Sequence, residues 1–148
     1  MDLDPLTEET AAGVVTWFDH DDEGRRRVGF YAHHPKWWHL VVADEDRHGF
    51  VATVDGAPVG LVDLELRDGA VNVSVYIRQE HRGYGHGVAA LTAATLVARS
   101  LEGATQLRAE VEEDNAASMR SCAHIGMTLR SERNKHQELV FELDLTSG

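Results

Sequence analysis

The chain has 148 residues, 43% of them hydrophobic and 26% charged, and carries a formal net charge of −11 at pH 7. This length suits one domain over residues 1–148, large enough to fold around an apolar core without disulfides or a structural metal. The negative charge disfavours a nucleic-acid partner, because it repels phosphate backbones, and it would attract a cationic substrate such as an amine. The alternative is that the acidity only maintains solubility.

The spacing of cysteine and histidine argues against a metal site. Together with the N-terminal sequence, it also bears on where in the cell we expect the protein. Cys122 is the single cysteine, and no CxxC, HxxxH or HExxH spacing occurs, so we expect no disulfide and no metal. The first five residues, MDLDP, are acidic and lack an apolar core, so we expect no signal peptide. The apolar-rich stretch 88–98 is too short to span a bilayer. These features predict a cytoplasmic protein with no membrane partner.

The first third of the chain predicts two helices around a polar loop. Thr7 followed by Glu8 and Glu9 is typical of a helix start, because a hydroxyl caps free N–H groups and carboxylates face the helix dipole. Apolar positions at helical spacing follow at Val14, Val15, Trp17 and Phe18. The segment 20–27 (HDDEGRRR) predicts a loop, and Pro35 can open a second helix. The apolar positions of that helix are Trp37, Trp38, Val41 and Val42.

The remaining elements predict a mixed α/β sheet. Alternating residues over 49–54, 59–66 and 71–77, separated by Asp55-Gly56 and Asp68-Gly69 turns, predict an antiparallel meander. The elements expected after it are a helix over 85–101 ended by Gly103, a strand Gln106–Val111, a helix over 115–124 ended by Gly126, and a hairpin over 128–133 and 138–145.

The loop before the long helix has the sequence Arg82-Gly83-Tyr84-Gly85-His86-Gly87. Free N–H groups and the dipole of a helix start favour anions, and glycines let an anion approach the backbone closely. Arg82 would add a permanent cation. The loop therefore predicts a phosphate or pyrophosphate site, with a tight turn that binds nothing as the alternative. A dinucleotide GxGxxG fingerprint would need glycine in place of Val88, and no P-loop GK[ST] occurs.

Two separate segments resemble the GNAT superfamily of N-acetyltransferases. The first is Val75-x-Ile77 followed by Arg82-x-x-Gly85-x-Gly87 and the residues VAAL at 88–91, which is similar to the coenzyme A signature of that family. The second comprises LRAEV at 107–111, DNAAS at 114–118 and IGM at 125–127. It resembles the strand, Asn-containing helix and Gly-Phe turn of the family. The NAAS form is similar to the branch that acetylates ribosomal-protein N-termini and polyamines.

The resemblance implies a mixed, mostly antiparallel central sheet of six to seven strands with helices on both faces. It also implies acetyl-CoA as co-substrate, with the pantetheine lying between splayed strands 71–77 and 106–111. Backbone groups of Val75, Tyr76 and Ile77 would then bind the pantetheine amides, and Asn115 the pantetheine arm. A plain helix N-cap is a compatible role for Asn115. The pyrophosphate would lie on the backbone of Arg82, Gly83, Tyr84, Gly85, His86, Gly87 and Val88.

Acetyl transfer needs a neutral amine, a donor to the developing oxyanion and stabilisation of the leaving thiolate. Glu110 is the first candidate base, since some members of the family carry a catalytic glutamate at this strand position. The alternative is an exposed strand carboxylate without a role. Asp63 and Glu65, on one face of the strand over 59–66, are the next candidates.

The proton donor is the main departure from the family pattern. Many members have a tyrosine where this chain has Cys122, and a thiol can donate a proton. The alternative is an inert buried cysteine that packs as a small hydrophobic residue. Ser118 and Tyr76 are the other candidate donors.

The sequence therefore predicts an enzyme, an N-acetyltransferase acting on a cationic primary amine, either a small molecule or a peptide N-terminus. The acetyl group would pass from acetyl-CoA by direct attack in a ternary complex, and the protein would be a monomer or homodimer. The alternative is a coenzyme A-binding regulatory module with little catalysis, which the missing tyrosine suggests. A donor other than acetyl is a third possibility.

Overall fold

The computed structural model describes residues 1–28 and 37–146. Its helices are α1 Glu8–Val14, α2 Asp22–Arg27, α3 Trp37–Ala43, α4 His86–Ser100 and α5 Ala116–His124, with 3₁₀ turns at Val15–Phe18 and Gln79–His81. Its strands are β1 Asp2–Pro5, β2 Arg47–Val54, β3 Ala57–Arg67, β4 Ala70–Ile77, β5 Gln106–Val111, β6 Thr128–Leu129 and β7 Leu139–Asp144. No helix in these ranges is long and apolar enough to cross a membrane.

The seven strands form one sheet in the order β1-β2-β3-β4-β5-β7-β6. Every neighbouring pair is antiparallel except β4 and β5, which run parallel. The predicted meander is confirmed as β2, β3 and β4, with left-handed turn residues at Asp55-Gly56 and Asp68-Gly69. The expected mixed, mostly antiparallel sheet is therefore confirmed.

Apolar clusters cover both faces of this sheet, as expected. One cluster packs the small residues of α4, among them Ala90 and Ala94, against Val71 and Leu107 of the central strands. The other packs α1 and α3 on the opposite face, with Phe18 and Trp37 fully buried. Because the side chains of β4 alternate, Val71 points to the first cluster and Tyr76 to the second.

Two local predictions were wrong, and one strand was not predicted. The segment 20–27 is not a loop throughout, because α2 forms there with Asp21 as its N-cap, acidic residues in its first turn and arginines in its last. Residues Asp2–Pro5 form an edge strand through pairing with β2, which the acidic sequence does not indicate. The final hairpin is also shorter than predicted, because its first strand covers only Thr128–Leu129.

The strands β4 and β5 separate from each other along their length. Among the described residues they pair only from Ala70–Gln106 to Asn72–Arg108. Beyond these positions β4 continues to Ile77 and β5 to Val111, and a cleft lies between them. The expected splay is thus present at the point where the sheet changes from antiparallel to parallel pairing.

Candidate functional site

The cleft between β4 and β5 has a volume of about 730 Å³ and is bounded by the glycine loop, α2, α4 and α5. It brings together nearly all of the residues predicted from the sequence. Those lining it are Val75, Tyr76, Ile77, Arg82, Gly83, Gly85, His86, Gly87, Val88, Glu110, Asn115, Ser118 and Cys122. Tyr84 is not among the lining residues, and it is 75% exposed.

The glycine loop presents backbone N–H groups to the mouth of the cleft. Gly83 and Gly85 have φ angles of 85° and 81°, in the left-handed region that favours glycine. Gly85 is the N-cap of α4 and supplies no side chain to its first turn. The first intrahelical bond in α4 runs from Ala89 N–H to the Gly85 carbonyl at 3.1 Å. The N–H groups of residues 86–88 therefore have no intrahelical acceptor and suit a phosphate group.

The end of β4 presents further backbone groups to the cleft. Arg78 N–H donates to the Val59 carbonyl of β3 at 2.8 Å. Because direction alternates along an antiparallel strand, Val75 and Ile77 point their N–H and C=O groups away from β3, into the cleft. The Ile77 carbonyl accepts a hydrogen bond from Arg82 Nε at 2.9 Å, which leaves both groups of Val75 and the Ile77 N–H for a ligand.

A buried carboxylate behind the loop was not predicted. Asp21 is 2% exposed, and its Oδ2 accepts from the Tyr76 hydroxyl at 2.8 Å and from Arg82 Nη2 at 2.6 Å. Its Oδ1 accepts from Gly24 N–H at 3.0 Å, the N-cap bond of α2. Burial raises the pKa of Asp21, but the hydrogen bonds from Gly24, Tyr76 and Arg82 outweigh it and hold that pKa below its usual 3.8. We call Asp21, Tyr76 and Arg82 the Asp21 cluster.

The Asp21 cluster changes the roles expected for two predicted residues. The cation of Arg82 is paired with Asp21, which leaves the backbone N–H groups as the main donors that the loop presents. The Tyr76 side chain is 6% exposed and faces Phe18 at a ring-centroid distance of 4.4 Å, on the side of the sheet opposite α4. Burial, and then the bond to Asp21, raise the pKa of Tyr76 well above its usual 10.0, which argues against the phenol as a proton donor.

Glu110 lies on β5 beside the splay and is exposed. Its Oε2 accepts from Asn134 Nδ2 at 2.7 Å, and no cation among the described residues pairs with it. It lines both the cleft and a smaller cavity of about 170 Å³ that also contains Asp63 and Glu65. Asp63 is paired with Arg47, with 2.9 Å between Oδ2 and Nη2. Glu65 Oε1 lies 3.5 Å from Arg67 Nε, so Glu110 is the one of these three carboxylates without an ion-pair partner among the described residues.

Cys122 and Ser118 lie on α5. Cys122 is 2% exposed within the cluster beneath α4, and burial raises the pKa of its thiol to about 11. Asn115 is the N-cap of α5, since its Oδ1 accepts from Ser118 N–H at 3.2 Å. Ser118 is half-buried in the first turn of this helix, so its side chain reaches the cleft beside Asn115.

Ion pairs tie α2 to the end of β5. Arg26 Nη1 lies 2.8 Å from Glu112 Oε2, and Arg27 Nη2 lies 3.3 Å from Asp114 Oδ1. These pairs were not predicted, because the segment 20–27 was expected to be a loop. The signal available in the sequence was the charge pattern of 20–27, which is acidic at its start and basic at its end, as in a helix with charges matched to its dipole. Among the described residues, no group of three or more His, Cys, Asp or Glu side chains could hold a metal ion.

Comparison with known proteins gives one family match and several structural matches. The model of the acetyltransferase (GNAT) family matches residues 8–127. An aminoglycoside acetyltransferase, AAC(6')-Ib, in complex with coenzyme A has a TM-score of 0.82 at 15% identity, over 96% of this chain and 93% of that one. The GNAT domain of S. lividans PAT has a TM-score of 0.78 at 23% identity, over 96% and 89%.

A spermidine N-acetyltransferase, a SpeG chimera from Vibrio cholerae and hSSAT, has a TM-score of 0.78 at 14% identity, over 99% of this chain and 97% of that one. No curated protein matches. At these identities the structural matches show the fold alone, while the family match spans most of the chain.

Proposed function

Because the chain belongs to the acetyltransferase (GNAT) family, we propose that it transfers the acetyl group of acetyl-CoA to a cationic primary amine. The observation that carries the proposal is the cleft itself. Unpaired backbone groups on β4 and the uncapped first turn of α4 lie along one path, which suits a ligand with amides at one end and phosphates at the other. The reaction would be a direct attack in a ternary complex, because donor and acceptor meet at the splay.

The coenzyme would be held mainly by backbone. The N–H groups of residues 86–88 suit the pyrophosphate, since a helix N-terminus carries partial positive charge. The backbone N–H and C=O of Val75 and the N–H of Ile77 suit the pantetheine amides. One of these N–H groups could also donate to the oxyanion that forms from the acetyl group. Asn115 lies at the β5 side of the same path and keeps its amide nitrogen for the pantetheine arm, because its oxygen caps α5.

Glu110 is the base in this proposal. An alkylammonium has a pKa near ~10, so the amine must lose a proton before its lone pair can attack the thioester carbon. Glu110 would take that proton directly or through one water. The attack forms the C–N bond, and collapse of the tetrahedral intermediate breaks the C–S bond and releases the thiolate of coenzyme A.

The leaving thiolate receives little help from Cys122. A free thiol has a pKa near ~8.5, so proton transfer from a Cys122 thiol with a pKa of about 11 would be uphill by about 3 kcal/mol. We therefore assign Cys122 to packing, and propose that the Ser118 hydroxyl donates a hydrogen bond to the sulfur. The proton that ends on the coenzyme thiol comes from the attacking amine or from water.

The acceptor is proposed to be a small cationic amine or a peptide N-terminus. Asp63, Glu65 and Glu110 share one cavity beside the splay, and the chain is strongly acidic overall. A cation would gain from this field, whereas an anionic acceptor would be repelled. Two structurally similar proteins are named as acetyltransferases of aminoglycosides and of spermidine, both of which are cationic amines.

Release of thiol from acetyl-CoA tests the proposal. The panel should contain spermidine, an aminoglycoside, a peptide with a free N-terminus and the same peptide already N-acetylated as the control. We expect at least one cationic amine to raise thiol release above the rate without acceptor. Tight binding of acetyl-CoA with no amine-dependent release would instead support the coenzyme A-binding regulatory module, which Cys122 in place of the family tyrosine favours. Propionyl-CoA in the same assay tests the donor.

A further inference from the structure

The arginines around the cleft differ in whether their charge is already paired. Among the described residues the cleft is lined by Arg27, Arg82 and Arg120. Arg27 pairs with Glu23 and Asp114, at 2.9 and 3.3 Å, and Arg82 pairs with Asp21 at 2.6 Å. Arg120 is exposed and makes no ion pair or hydrogen bond within the described ranges. It is the arginine of the cleft whose charge is left for a ligand.

Arg120 lies on the face of α5 that contacts the glycine loop. A Cβ atom built on Gly87 would lie 3.3 Å from the Oγ atom of Ser121, so this face of α5 packs against the first turn of α4. Arg120 precedes Ser121, and His124 follows Arg120 by one helical turn; both line the cleft. A cationic side chain therefore lies next to the N–H groups proposed for the pyrophosphate, on the neighbouring helix.

The order of residues along α5 assigns Arg120 to one part of the coenzyme. Asn115 begins the helix near the splay, where the pantetheine arm would lie, and Ser121 lies beside Gly87, where the pyrophosphate would lie. Following the same direction, the next ligand group is the ribose, which carries the 3′-phosphate of coenzyme A. His124 stands at this position, and Arg120 lies one helical turn before it on the same side of α5, so both side chains line this end of the cleft.

Resting on the proposed function, we propose that Arg120 binds the 3′-phosphate of coenzyme A. The protein has a formal charge of −11, and a phosphomonoester near neutral pH carries close to two negative charges, so binding needs a local cation. A guanidinium matches a phosphate with two parallel N–H donors, which a backbone amide cannot do. Arg82, the cation expected from the loop sequence, is neutralised by Asp21, and Arg120 supplies the charge in its place.

Coenzyme A and 3′-dephospho-coenzyme A separate this role from general electrostatics. Calorimetric titration would give the dissociation constants of both ligands for the wild-type protein, for Arg120→Ala and for Arg99→Ala. Arg99 is an exposed residue at the far end of α4, so its removal changes the net charge equally. We expect Arg120→Ala to weaken coenzyme A about tenfold, the value of one charge-assisted hydrogen-bonded pair, and dephospho-coenzyme A by less than about twofold. We expect Arg99→Ala to leave both constants unchanged.

Equal weakening of the two ligands by Arg120→Ala, or no weakening of either, would overturn the proposal. A wild-type protein that binds both ligands equally tightly would do the same while leaving the coenzyme site intact. If the wild-type protein binds neither ligand, the proposed function fails as well, so the two failures can be told apart. Arg120 is exposed, and a thermal melt of each variant checks that its fold is unchanged.

Discussion

Replacing Asp21 by asparagine keeps the size of a buried side chain but removes the charge that two donors require. The carboxylate serves three donors with two oxygens: Gly24 N–H on Oδ1, and Tyr76 and Arg82 on Oδ2. An asparagine has a single acceptor oxygen. If that oxygen keeps the N-cap bond to Gly24, its amide NH₂ faces the guanidinium, which can only donate, and the phenol, whose own O–H loses its charged acceptor.

The expected cost of Asp21→Asn is about 2 kcal/mol of unfolding free energy. Hydrogen bonds to a charged group contribute about 1.5–3 kcal/mol each when buried. The bond from Tyr76 counts fully, because that residue is 6% exposed. The share of Arg82 is discounted to below about 1 kcal/mol, because its side chain is 38% exposed and can turn to water. Weaker contacts of the phenol, such as the Trp17 carbonyl at 3.5 Å, offset part of the loss.

The effect of Asp21→Asn on the free energy of unfolding should also change with pH in a definite direction. The pKa of Asp21 is lowered in the folded state, so its contribution is present above the unfolded value of ~3.9 and is lost as pH falls through the folded value. Asparagine does not titrate. The stability difference between wild type and Asp21→Asn should therefore be largest near neutral pH and shrink below about pH 4.

Urea unfolding of both proteins at pH 7 and in acid measures the difference. Asp19→Asn is the matched control, because Asp19 lies two residues away with 58% of its side chain exposed and only a 3.9 Å contact to Arg25. We expect this control to lie within about 0.5 kcal/mol of wild type. A loss of less than about 0.5 kcal/mol for Asp21→Asn at pH 7, or one that persists undiminished in acid, would refute the role given to the carboxylate.

Three further predictions address the reaction and the coenzyme loop. Glu110→Gln should lower kcat roughly a hundredfold as expected for a general base, with Glu113→Gln as an exposed control; equal rates in the two variants would remove Glu110 from the site. Gly85→Val and Gly103→Val both force a β-branched residue to positive φ, at 81° and 85°, and should each cost about 1–2 kcal/mol of stability. Only the first should lose affinity for coenzyme A in calorimetry, and loss in both would point to unfolding instead. Cys122→Ala should cost about 1 kcal/mol of stability by emptying a small buried volume and leave kcat within about twofold; a large fall in kcat at unchanged stability would restore the thiol as an acid.

The backbone geometry of the proposed coenzyme site could be predicted because its determinants are local in sequence. Gly83 and Gly85 adopt positive φ where a strand turns into a helix, and that requirement is visible from residue type and position. Asn115 caps its helix as its type suggests. The order of the strands around these motifs places both at one splay, and the path proposed for the ligand between them follows from the resemblance to the family.

The Asp21 cluster could not be predicted, because its partners are separated by 55 and 61 residues in the chain. Hydrophobic periodicity and turn residues give information only about residues close together in the sequence, so they do not predict contacts over such separations. The same limit explains why Arg82 was expected to face a phosphate while Arg120 was overlooked. Whether the Arg82 cation is paired depends on where Asp21 lies after folding, and the residue sequence around Arg82 does not contain that information.

The segment predicted to be a loop is also what spans the splay. At its beginning Asp21 holds Tyr76 and Arg82 at the end of β4, and at its end Arg26 and Arg27 pair with carboxylates just beyond β5. Pairing between β4 and β5 stops at Asn72 in the described sheet, so strand hydrogen bonds do not fix the distance between their ends. The side-chain contacts of α2 connect the two ends instead. Because the α2 segment holds the ends of β4 and β5 together, continued strand pairing is not needed there. The backbone groups at the splay can therefore stay unpaired and available to a ligand.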